Sequence, residues 1–375
     1  MSGAQQPSAV SGTHAPALVH VVGAGLIGTS VGLALRARGV DVVLSDPSDR
    51  ALRLAVGLGA GLVADERSSP DVVVVAAPPD AVADLVAHHL RLQPHAVVTD
   101  VASVKALPLR RLAALDADLS RYVGGHPLAG RERSGAAAAQ AELFVGRPWV
   151  LTPTADTTVH ALERVTTVVR ELGAVVVLMD AADHDAAVAV VSHLPQVAAT
   201  LVAARLRQVP QEAVALAGQG LRDVTRIAAS SPELWTQILA GNAASVGHGL
   251  RLLRQDLDEL LAAVEALAQD GPASDPARAV LTRLMAAGNA GQARIPGKHG
   301  TAPARYEAVP VLVPDRPGEL ARLLTDVGRA GVNIEDLHLE HSEGRPAALV
   351  SVDVVPDAAA ALVASLRSRG WAVHA

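Results

Sequence analysis

Short apolar segments alternate with amphipathic ones over the first half of the chain. Leu18–Val22 is an apolar run of strand length, a glycine turn follows it, and Leu26–Arg38 has the spacing of an amphipathic helix. Further apolar runs of strand length each follow a helix-compatible segment, at Val40–Leu44, Val72–Ala76, Ala96–Thr99, Trp149–Leu151 and Ala174–Leu178. Strands that alternate with helices predict an α/β fold with a parallel sheet covered on both faces.

The pattern changes after Met179. From Ala181 to Asn289 the apolar residues recur at helical spacing, and no segment has convincing strand character. Ser230–Glu233 has the composition of a helix start, with serine and glutamate three residues apart and proline in the first turn. We therefore predict an all-helical second domain. Its Ala/Leu-rich faces need a partner to bury them, which favours a dimer.

The last part of the chain returns to short strands. Four strands and two helices are predicted in the order βαββαβ, at Ala308–Val313, Glu319–Ala330, Asn333–His341, Ala347–Val354, Asp357–Arg369 and Trp371–His374. This is the order of the ferredoxin-like fold. The segment before it is rich in glycine and proline, which is typical of a linker.

These patterns divide the chain into five predicted segments. They are a disordered N-terminal arm at 1–16, a Rossmann-type domain at 17–180, an all-helical substrate and dimerisation domain at 181–290, a linker at 291–304 and a ferredoxin-like domain at 305–375. The arm is predicted to be disordered because it is rich in serine, glycine, proline and glutamine and has no apolar periodicity.

The composition excludes several classes of protein. The 375 residues include no cysteine, which rules out a disulfide scaffold, a thiolate nucleophile and a cysteine-ligated metal site. A net charge of −6 argues against a nucleic-acid-binding protein, which needs a basic surface to neutralise phosphates. Only Lys105 and Lys298 are lysine among the 32 basic residues. We interpret Lys298 as part of a hinge in the linker.

Two uncharged stretches raise the question of a membrane. Met1–Leu35 has no charged residue, but it lacks the basic start of a signal peptide, and polar residues interrupt it throughout. Ala186–Ala204 is also uncharged, yet it contains His193 and Gln196, which favours a buried helix with polar contacts. We therefore expect no membrane partner and a cytoplasmic protein.

The turn Gly23-Ala24-Gly25-Leu26-Ile27-Gly28 follows a predicted strand and opens a predicted helix. In a dinucleotide-binding fold, the first glycine of G-x-G-x-x-G allows the tight turn, the second admits the pyrophosphate and the third lets the helix pack on the strand. Asp46 ends the second strand, where a carboxylate accepts hydrogen bonds from the adenosine ribose and repels a 2′-phosphate. The motif therefore predicts NAD rather than NADP.

Two more motifs follow predicted strands of the same domain. Asp100–Lys105 begins just after a strand, and loops at the carboxyl ends of parallel strands face the ligand crevice. Within it, Ser103 has two open interpretations, a helix cap or a catalytic group. Gly124–Gly130 places His126 between glycines and a proline, which indicates a loop. A neutral imidazole there can accept a proton from a hydroxyl that is being oxidised.

A further polar cluster lies in the helical segment, at His184, His193, Arg222, Asp223, Arg226 and Trp235. His184 and His193 are nine residues apart, so on a straight helix they point to opposite sides. They are therefore not an obvious metal pair, and we expect no metal site. Arg222, Asp223 and Arg226 have helical spacing. Ordinary ion pairs on the exposed face of a helix would also explain this spacing.

Taken together, the motifs resemble those of the prephenate/arogenate dehydrogenase family. The resemblance covers roughly residues 18–300 and rests on the order of five motifs, GAGLIG, DVASVK, GGHPLAG, HDAAVAVVSHLP and LRDVTRIAASSPELW. PDRPGEL and GVNIEDL resemble an ACT regulatory domain. The resemblance implies NAD-dependent oxidation and decarboxylation of a cyclohexadienol in tyrosine biosynthesis, by a homodimer that an aromatic amino acid regulates, with tyrosine as the first candidate.

The resemblance also implies roles for individual residues. His126 matches the catalytic histidine that engages the ring hydroxyl, and Ser103 matches a serine that orients this histidine and the nicotinamide. Arg226 matches an arginine that binds a substrate carboxylate. The remaining expected sites are substrate-binding His193, Asp223, Trp235, Glu132 and Lys105, cofactor-binding Gly23, Gly25, Leu26, Ile27, Gly28 and Asp46, and effector-binding Asp315, Pro317, Gly318 and Asn333.

One position departs from the family pattern and leaves the substrate open. Many members have a second histidine where this chain has Gln196 after Pro195, and a neutral amide cannot become cationic. The substrate side chain is therefore either the keto acid of prephenate or the amino acid of arogenate. A catalytically silent sensor of NAD and an amino acid is an alternative of another class. The motif order argues against a third alternative, another 3-hydroxy acid dehydrogenase.

Overall fold

The computed structural model describes residues 16–65, 67–129, 135–269, 274–295, 306–341 and 347–374. It divides into two compact units, Met1–Leu253 and Arg254–Ala375. The predicted N-terminal arm, apart from Pro16, and most of the predicted linker, including Lys298, lie outside the described residues. The five predicted segment boundaries stay a prediction.

The first unit contains an eight-stranded sheet in the order β3-β2-β1-β4-β5-β6-β7-β8. Its strands are β1 Leu18–Val22, β2 Asp41–Ser45, β3 Leu62–Val63, β4 Val72–Val75, β5 Val97–Asp100, β6 Tyr122–Pro127, β7 Pro148–Thr152 and β8 Val175–Leu178. The β6–β7 pair is antiparallel and the other pairs are parallel. The predicted Rossmann-like class is therefore confirmed.

Both faces of this sheet are buried, as the continuous apolar runs predict. In β4, Val72 and Val74 belong to one core cluster and Val73 and Val75 to a second cluster. The alternation follows from the two-residue period of a strand, which directs successive side chains to opposite faces. The helices between the strands are α1 Leu26–Arg36, α2 Asp49–Gly57, α3 Val82–Leu92, α4 Ala106–Ala114 and α5 Val159–Glu171.

The sequence patterns miss two of these strands. β3 has only two residues, and β6 contains the Gly-Gly-His-Pro run that we interpreted as a loop. The glycines of β6 are needed for close packing, because a Cβ at Gly124 would lie 2.4 Å from Thr152 Oγ1, and one at Gly125 would lie 2.4 Å from the Asp100 carbonyl oxygen. The glycines therefore allow close packing inside the sheet and do not mark a turn. His126 lies within β6, so the loop prediction for it is wrong.

A predominantly helical region follows the sheet, as predicted. Its α-helices are α6 Ala181–Val188, α7 Leu194–Arg205, α8 Gln211–Val214, α9 Gln219–Thr225, α10 Pro232–Gly241, α11 Ala243–Ala268 and α12 Ser274–Gln292. A π-helical turn, Ala189–His193, connects α6 to α7. The predicted helix start at Ser230–Glu233 is confirmed, since the Ser231 hydroxyl caps α10 by accepting from the Leu234 N–H at 3.3 Å.

The helical stretch Ala181–Gln208 is long and apolar enough to cross a membrane, with a mean hydropathy of 1.6. Core helices of water-soluble proteins meet the same criterion. Three polar side chains of this stretch, His184, Asp185 and His193, are at most 3% exposed and hydrogen-bond within the same unit. The polar groups therefore lie on the buried side of the stretch, whereas Val190, Val191 and Leu201 are more than half exposed.

The second unit contains the predicted βαββαβ arrangement. Its elements are β9 Glu307–Pro314, α13 Glu319–Arg329, β10 Asp336–His341, β11 Ala347–Val354, α14 Pro356–Ser368 and β12 Ala372–Val373. The antiparallel sheet has the order β10-β11-β9-β12. The small sheet domain is consistent with an ACT-like fold, as expected from the order of its elements.

Two buried histidines pack together in the first unit. His20 on β1 and His89 on α3 are 7% and 6% exposed, with ring centroids 5.2 Å apart. His20 Nε2 is 2.8 Å from the Ser45 hydroxyl. Burial lowers the pKa of both rings from 6.5 to about 4. The unfolded chain therefore binds protons near pH 6.5 that the folded chain accepts only near pH 4.

This difference predicts that stability falls as the pH drops from 6.5 to 4, by on the order of 1 kcal/mol per pH unit. Above pH 6.5 the two histidines contribute no pH dependence. His20→Gln retains a group that can bond to Ser45 but cannot titrate, so it should remove part of the dependence. Urea unfolding across this pH range measures the effect, with exposed His160→Gln as the control. Equal pH dependence in His20→Gln and the wild type would contradict the prediction.

Candidate active site

The glycine turn between β1 and α1 has the geometry of a phosphate-binding turn. Gly23 has a φ of +110°, and a Cβ there would lie 2.2 Å from the Ala76 carbonyl oxygen. A Cβ at Gly28 would lie 1.9 Å from the Gly23 carbonyl oxygen, so α1 packs directly on the turn. A Cβ at Gly25 would have no neighbour within 4 Å. Two positions thus exclude side chains because of packing, and the middle one faces open space where a pyrophosphate can approach.

Asp46 connects the end of β2 to this turn. One carboxylate oxygen accepts from the Ala24 N–H at 2.7 Å and the other accepts from the Ser48 N–H at 2.7 Å. Carboxylate oxygens can accept further bonds, so the side chain can also receive a ribose hydroxyl. Leu26 and Ile27 form the first turn of α1, where backbone N–H groups lack partners within the helix. The predicted cofactor residues are therefore neighbours in the structure.

A buried ion pair lies at the carboxyl end of β5. Lys105 is 2% exposed, and its ammonium bonds to Asp100 and donates to the Gly125 carbonyl oxygen at 2.6 Å. The other Asp100 oxygen accepts from the Tyr122 hydroxyl at 2.7 Å. Burial lowers the pKa of Lys105 against the attraction of Asp100, and burial together with Asp100 raises the pKa of Tyr122 well above 10. The ion pair ties β5 to β6 just before His126.

These contacts give Lys105 a different position from the one that sequence reasoning predicts. We expected it to bind substrate, but its side chain is directed at protein groups beneath the site. A buried ammonium requires a counter-charge, and the preceding Asp100 of the same motif supplies it. The contacts therefore favour a structural role for Lys105, and substrate binding by it stays untested. Sequence reasoning missed Asp100, although its position after a strand in a motif with a rare lysine is a usable signal.

His126 is near the end of β6 and pairs with Val150 of β7. Its Nδ1 is 2.8 Å from His184 Nε2, and His184 Nδ1 is 2.8 Å from Asp185 Oδ1. Burial, and then electrostatic interactions with His184, Lys105 and His193, lower the pKa of His126 well below 6.5. The ring is therefore neutral at pH 7 and can accept a hydrogen bond or a proton.

His126 has a hydrogen-bond partner that sequence reasoning did not predict, His184. The expected role of Ser103 in orienting the histidine stays a prediction. Ser103 precedes α4 and is partly buried. Sequence reasoning noted His184 but gave it no role in the site, and used its spacing from His193 only against a metal pair.

The π-helical turn changes that spacing argument. It inserts a wider turn between α6 and α7, so the nine residues from His184 to His193 do not span a straight α-helix. Asn242 Nδ2 donates to the Asp185 carbonyl oxygen at 2.6 Å and is 3.3 Å from His193 Nδ1. The two histidines are thus linked through Asp185 and Asn242, and the straight helix that the spacing argument assumed is not formed. π-helical turns occur frequently at functional sites.

The other predicted substrate residues extend from this network. Trp235 packs edge-to-face against His193, with ring centroids 5.9 Å apart. Gln196 is 6% exposed and donates to the Ile227 carbonyl oxygen at 3.0 Å, directly after Arg226. Arg226 is exposed, and so is Asp223, which accepts from Gln219 at 2.8 Å. Glu132, predicted to line the pocket, lies outside the described residues.

The predicted effector residues belong to the second unit. Asp315, Pro317 and Gly318 form the exposed turn before α13, with Gly318 at a φ of +91°, and Asn333 is exposed before β10. A cavity of about 250 Å³ lies in the same unit and is lined by Leu312, Pro314, Glu319, Arg322, Ala347, Gly370, Trp371 and Ala372. The four predicted residues do not line this cavity, and their role stays a prediction. Among the described residues, no cluster of His, Asp and Glu side chains fits a metal ion.

The arrangement in the first unit can support dehydrogenation. β1, β5 and β6 run in parallel, so the glycine turn after β1 lies at the same edge of the sheet as Asp100 and His126 at the ends of β5 and β6. That edge has a turn suited to a dinucleotide and a neutral imidazole suited to a hydroxyl proton. A hydride acceptor and a proton acceptor at one crevice are the two requirements for oxidising a carbinol.

Comparison with known proteins identifies related sequences and folds. Residues 31–178 match the family described as "Prephenate dehydrogenase, nucleotide-binding domain", and residues 180–275 match "Prephenate dehydrogenase, dimerization domain". A probable prephenate dehydrogenase of Streptomyces niveus, NovF, is 41% identical over 94% of this chain and 98% of its own length.

Two solved structures are similar to this chain over nearly their full lengths. Prephenate dehydrogenase of Aquifex aeolicus, in complex with hydroxyphenyl propionate and NAD+, has a TM-score of 0.62 and 28% identity, covering 74% of this chain and 99% of that one. Arogenate dehydrogenase of Synechocystis has a TM-score of 0.59 and 30% identity, covering 73% of this chain and 98% of that one.

The buried ion pair predicts a specific effect of Lys105→Met. Removing the lysine leaves the Asp100 carboxylate buried without its counter-charge, which should lower the free energy of unfolding by about 3–5 kcal/mol. Urea unfolding measures this loss. Arg254→Met in the exposed Arg254–Asp258 pair is the control and should cost under about 0.5 kcal/mol. A stable Lys105→Met protein with a raised substrate KM would instead favour the original prediction of substrate binding.

Proposed function

Since the chain belongs to the prephenate dehydrogenase family and is an NAD-dependent dehydrogenase, we propose that it converts prephenate to 4-hydroxyphenylpyruvate and carbon dioxide in tyrosine biosynthesis. The observation that carries the proposal is the partly buried, neutral His126 at the sheet edge that also holds the glycine turn. The site alone would suit the oxidation of many carbinols. Membership of this family limits the candidate substrates to those of the family.

In the proposed reaction, His126 accepts the proton of the ring hydroxyl as the carbinol becomes a carbonyl. NAD, when bound, accepts the hydride from the carbinol carbon. Loss of carbon dioxide leaves the electrons of the broken carbon–carbon bond in the ring, which becomes aromatic, and the resulting phenolate oxygen recovers the proton from His126. Aromatisation drives the step, so the protein has to position the ring and hold one proton.

Other residues have binding roles in this proposal. Arg226 binds a substrate carboxylate, because its planar guanidinium can bond to both oxygens at once. Gln196 bonds to the backbone directly after Arg226 and so supports the segment that presents it. Asp46 receives the adenosine ribose and disfavours a 2′-phosphate. His193, Trp235, Asp223 and Glu132 contact or gate the substrate, and Ser103 contacts the histidine or nicotinamide.

Assembly and regulation are part of the same proposal. The helical region matches a dimerisation domain, and α11 exposes Leu253, Leu257, Leu261 and Val264 at helical spacing, which supports a homodimer that covers them. The small sheet domain binds an aromatic amino acid, with tyrosine as the first candidate, at Asp315, Pro317, Gly318 and Asn333. The protein acts in the cytoplasm, without a membrane or nucleic-acid partner.

Arogenate is the second candidate substrate. It is favoured by one observation, the buried and uncharged Gln196 near Arg226, since a neutral amide adds no positive charge that would repel the ammonium of arogenate. A neutral amide does not disfavour the uncharged keto group of prephenate either, so the two substrates have to be compared directly.

We expect the purified protein to reduce NAD in the presence of prephenate with a higher kcat/KM than with arogenate, and to use NADP poorly because of Asp46. Absorbance of the reduced nicotinamide measures each rate. A higher kcat/KM with arogenate would assign the second substrate. Binding of NAD without turnover of either acid would favour the catalytically silent sensor.

His126→Asn should lower kcat by about 10²–10⁴-fold, because an amide cannot take up the hydroxyl proton. Binding of NAD and the thermal midpoint should stay close to those of the wild type, since the asparagine is smaller and polar. His160→Gln, an exposed histidine on α5, is the matched control. Unchanged turnover by His126→Asn would remove this residue from the mechanism.

A further inference from the structure

We propose that His184 and Asp185 hold His126 in the one tautomer that can accept the substrate proton. The three side chains form a continuous chain of hydrogen bonds, with 2.8 Å from His126 Nδ1 to His184 Nε2 and 2.8 Å from His184 Nδ1 to Asp185 Oδ1. This inference rests on the proposed role of His126 as the proton acceptor. It assigns a positioning role to two residues that do not touch the reacting atoms.

The position of each proton follows from the aspartate. Asp185 accepts from two backbone N–H groups, those of Lys105 at 2.8 Å and Ala106 at 2.9 Å, as well as from His184. Burial alone would raise the pKa of Asp185, but these bonds together lower it, so the carboxylate is ionised and can only accept. His184 Nδ1 therefore carries the hydrogen of that contact.

The same argument extends to His126. Burial and the basic groups around the site oppose a second proton on His126. In this proposal His184 is a neutral imidazole whose single hydrogen, on Nδ1, leaves its Nε2 bare. His184 Nε2 is therefore an acceptor, and the hydrogen between the two rings belongs to His126 Nδ1. This leaves His126 Nε2 with a free lone pair, which is the atom that has to receive the hydroxyl proton.

The aspartate is itself prevented from turning. Its two oxygens bond to the start of α4, and its backbone carbonyl accepts from Asn242 at 2.6 Å. His184 is 0% exposed, and its ring meets the His126 ring edge-on at 78° with centroids 5.0 Å apart. Both the tautomer and the plane of His126 are thus determined by groups that are fixed before substrate arrives, as preorganised catalysis requires.

The tautomer can be read directly by NMR of the full-length protein labelled with ¹⁵N-histidine, without any substrate. We expect the His126 signal, assigned by its loss in His126→Asn, to show a protonated Nδ1 and a bare Nε2. A His126 ring protonated on Nε2 would overturn the proposal. Because this readout needs no turnover, it is independent of whether prephenate, arogenate or neither is the substrate.

Two variants of His184 distinguish the effect of its hydrogen bonds on His126 from the effect of the space that its ring fills. His184→Gln retains an oxygen that can accept from His126 Nδ1 and an amide that can donate to Asp185, so the tautomer and most of kcat should be kept. His184→Phe fills the space without an acceptor, so Nε2 protonation should appear and kcat should fall by about 10²-fold with little change in KM. His89→Gln is the control for substitution of a buried histidine away from the site.

The kcat values of the two His184 variants and their His126 tautomers decide between a positioning role and a purely structural one. Loss of kcat in His184→Phe with rescue in His184→Gln and matching tautomer shifts supports the proposal. Equal kcat in both variants, or an unchanged His126 tautomer in His184→Phe, would contradict it. If His184→Phe does not fold, as judged by circular dichroism, the wild-type tautomer and the His184→Gln kinetics still decide the question. A wild-type protein that turns over no candidate acid would count against the proposed function and leave the tautomer measurement intact.

Discussion

The buried charge of Asp100 is the constraint on which the site depends. A carboxylate that is 0% exposed has to be neutralised and hydrogen-bonded, and four groups do this: the Lys105 ammonium, the Tyr122 hydroxyl and the Ala102 and Gly125 N–H groups. These partners come from the segment between β5 and α4 and from β6, while Asp100 itself ends β5. Satisfying one charge therefore brings together the segments that precede and carry the catalytic histidine candidate.

Asp185 is a second buried carboxylate whose hydrogen bonds join separate segments, here the helical region and the start of α4. It bonds to the first residues of α4 through both oxygens, and through His184 it reaches the site. Asn242 then connects its carbonyl to His193, against which Trp235 packs. Polar networks of this kind specify a unique arrangement when all members are satisfied, because any displaced group would be buried without a partner. The substrate side of the crevice is thus coupled to the sheet by hydrogen bonds.

Backbone features allow these networks to form. The lack of a side chain at Gly124 and Gly125 lets β6 run close to β5 and β7, and the π-helical turn Ala189–His193 interrupts the straight helix between His184 and His193. Neither feature follows from local propensity. Glycine pairs are more common in turns, and a regular 3.6-residue period is the default for an apolar helix. Both features are understandable only through the contacts that they make possible.

The sequence by itself determined the alternation of strands and helices, the glycine turn with Asp46, the helical second region and the βαββαβ end of the chain. These depend on local patterns, because burial on one or two faces imposes a period and a tight turn imposes glycine. It also singled out His126, His193, Arg226 and Trp235 as chemistry-bearing residues. Only the tertiary structure decided that Lys105 is a buried counter-charge, that His126 lies in a strand and that His184 is its partner. Those facts depend on which distant segments meet, and hydrogen-bond partners 58 and 80 residues apart leave no periodic trace in a single sequence.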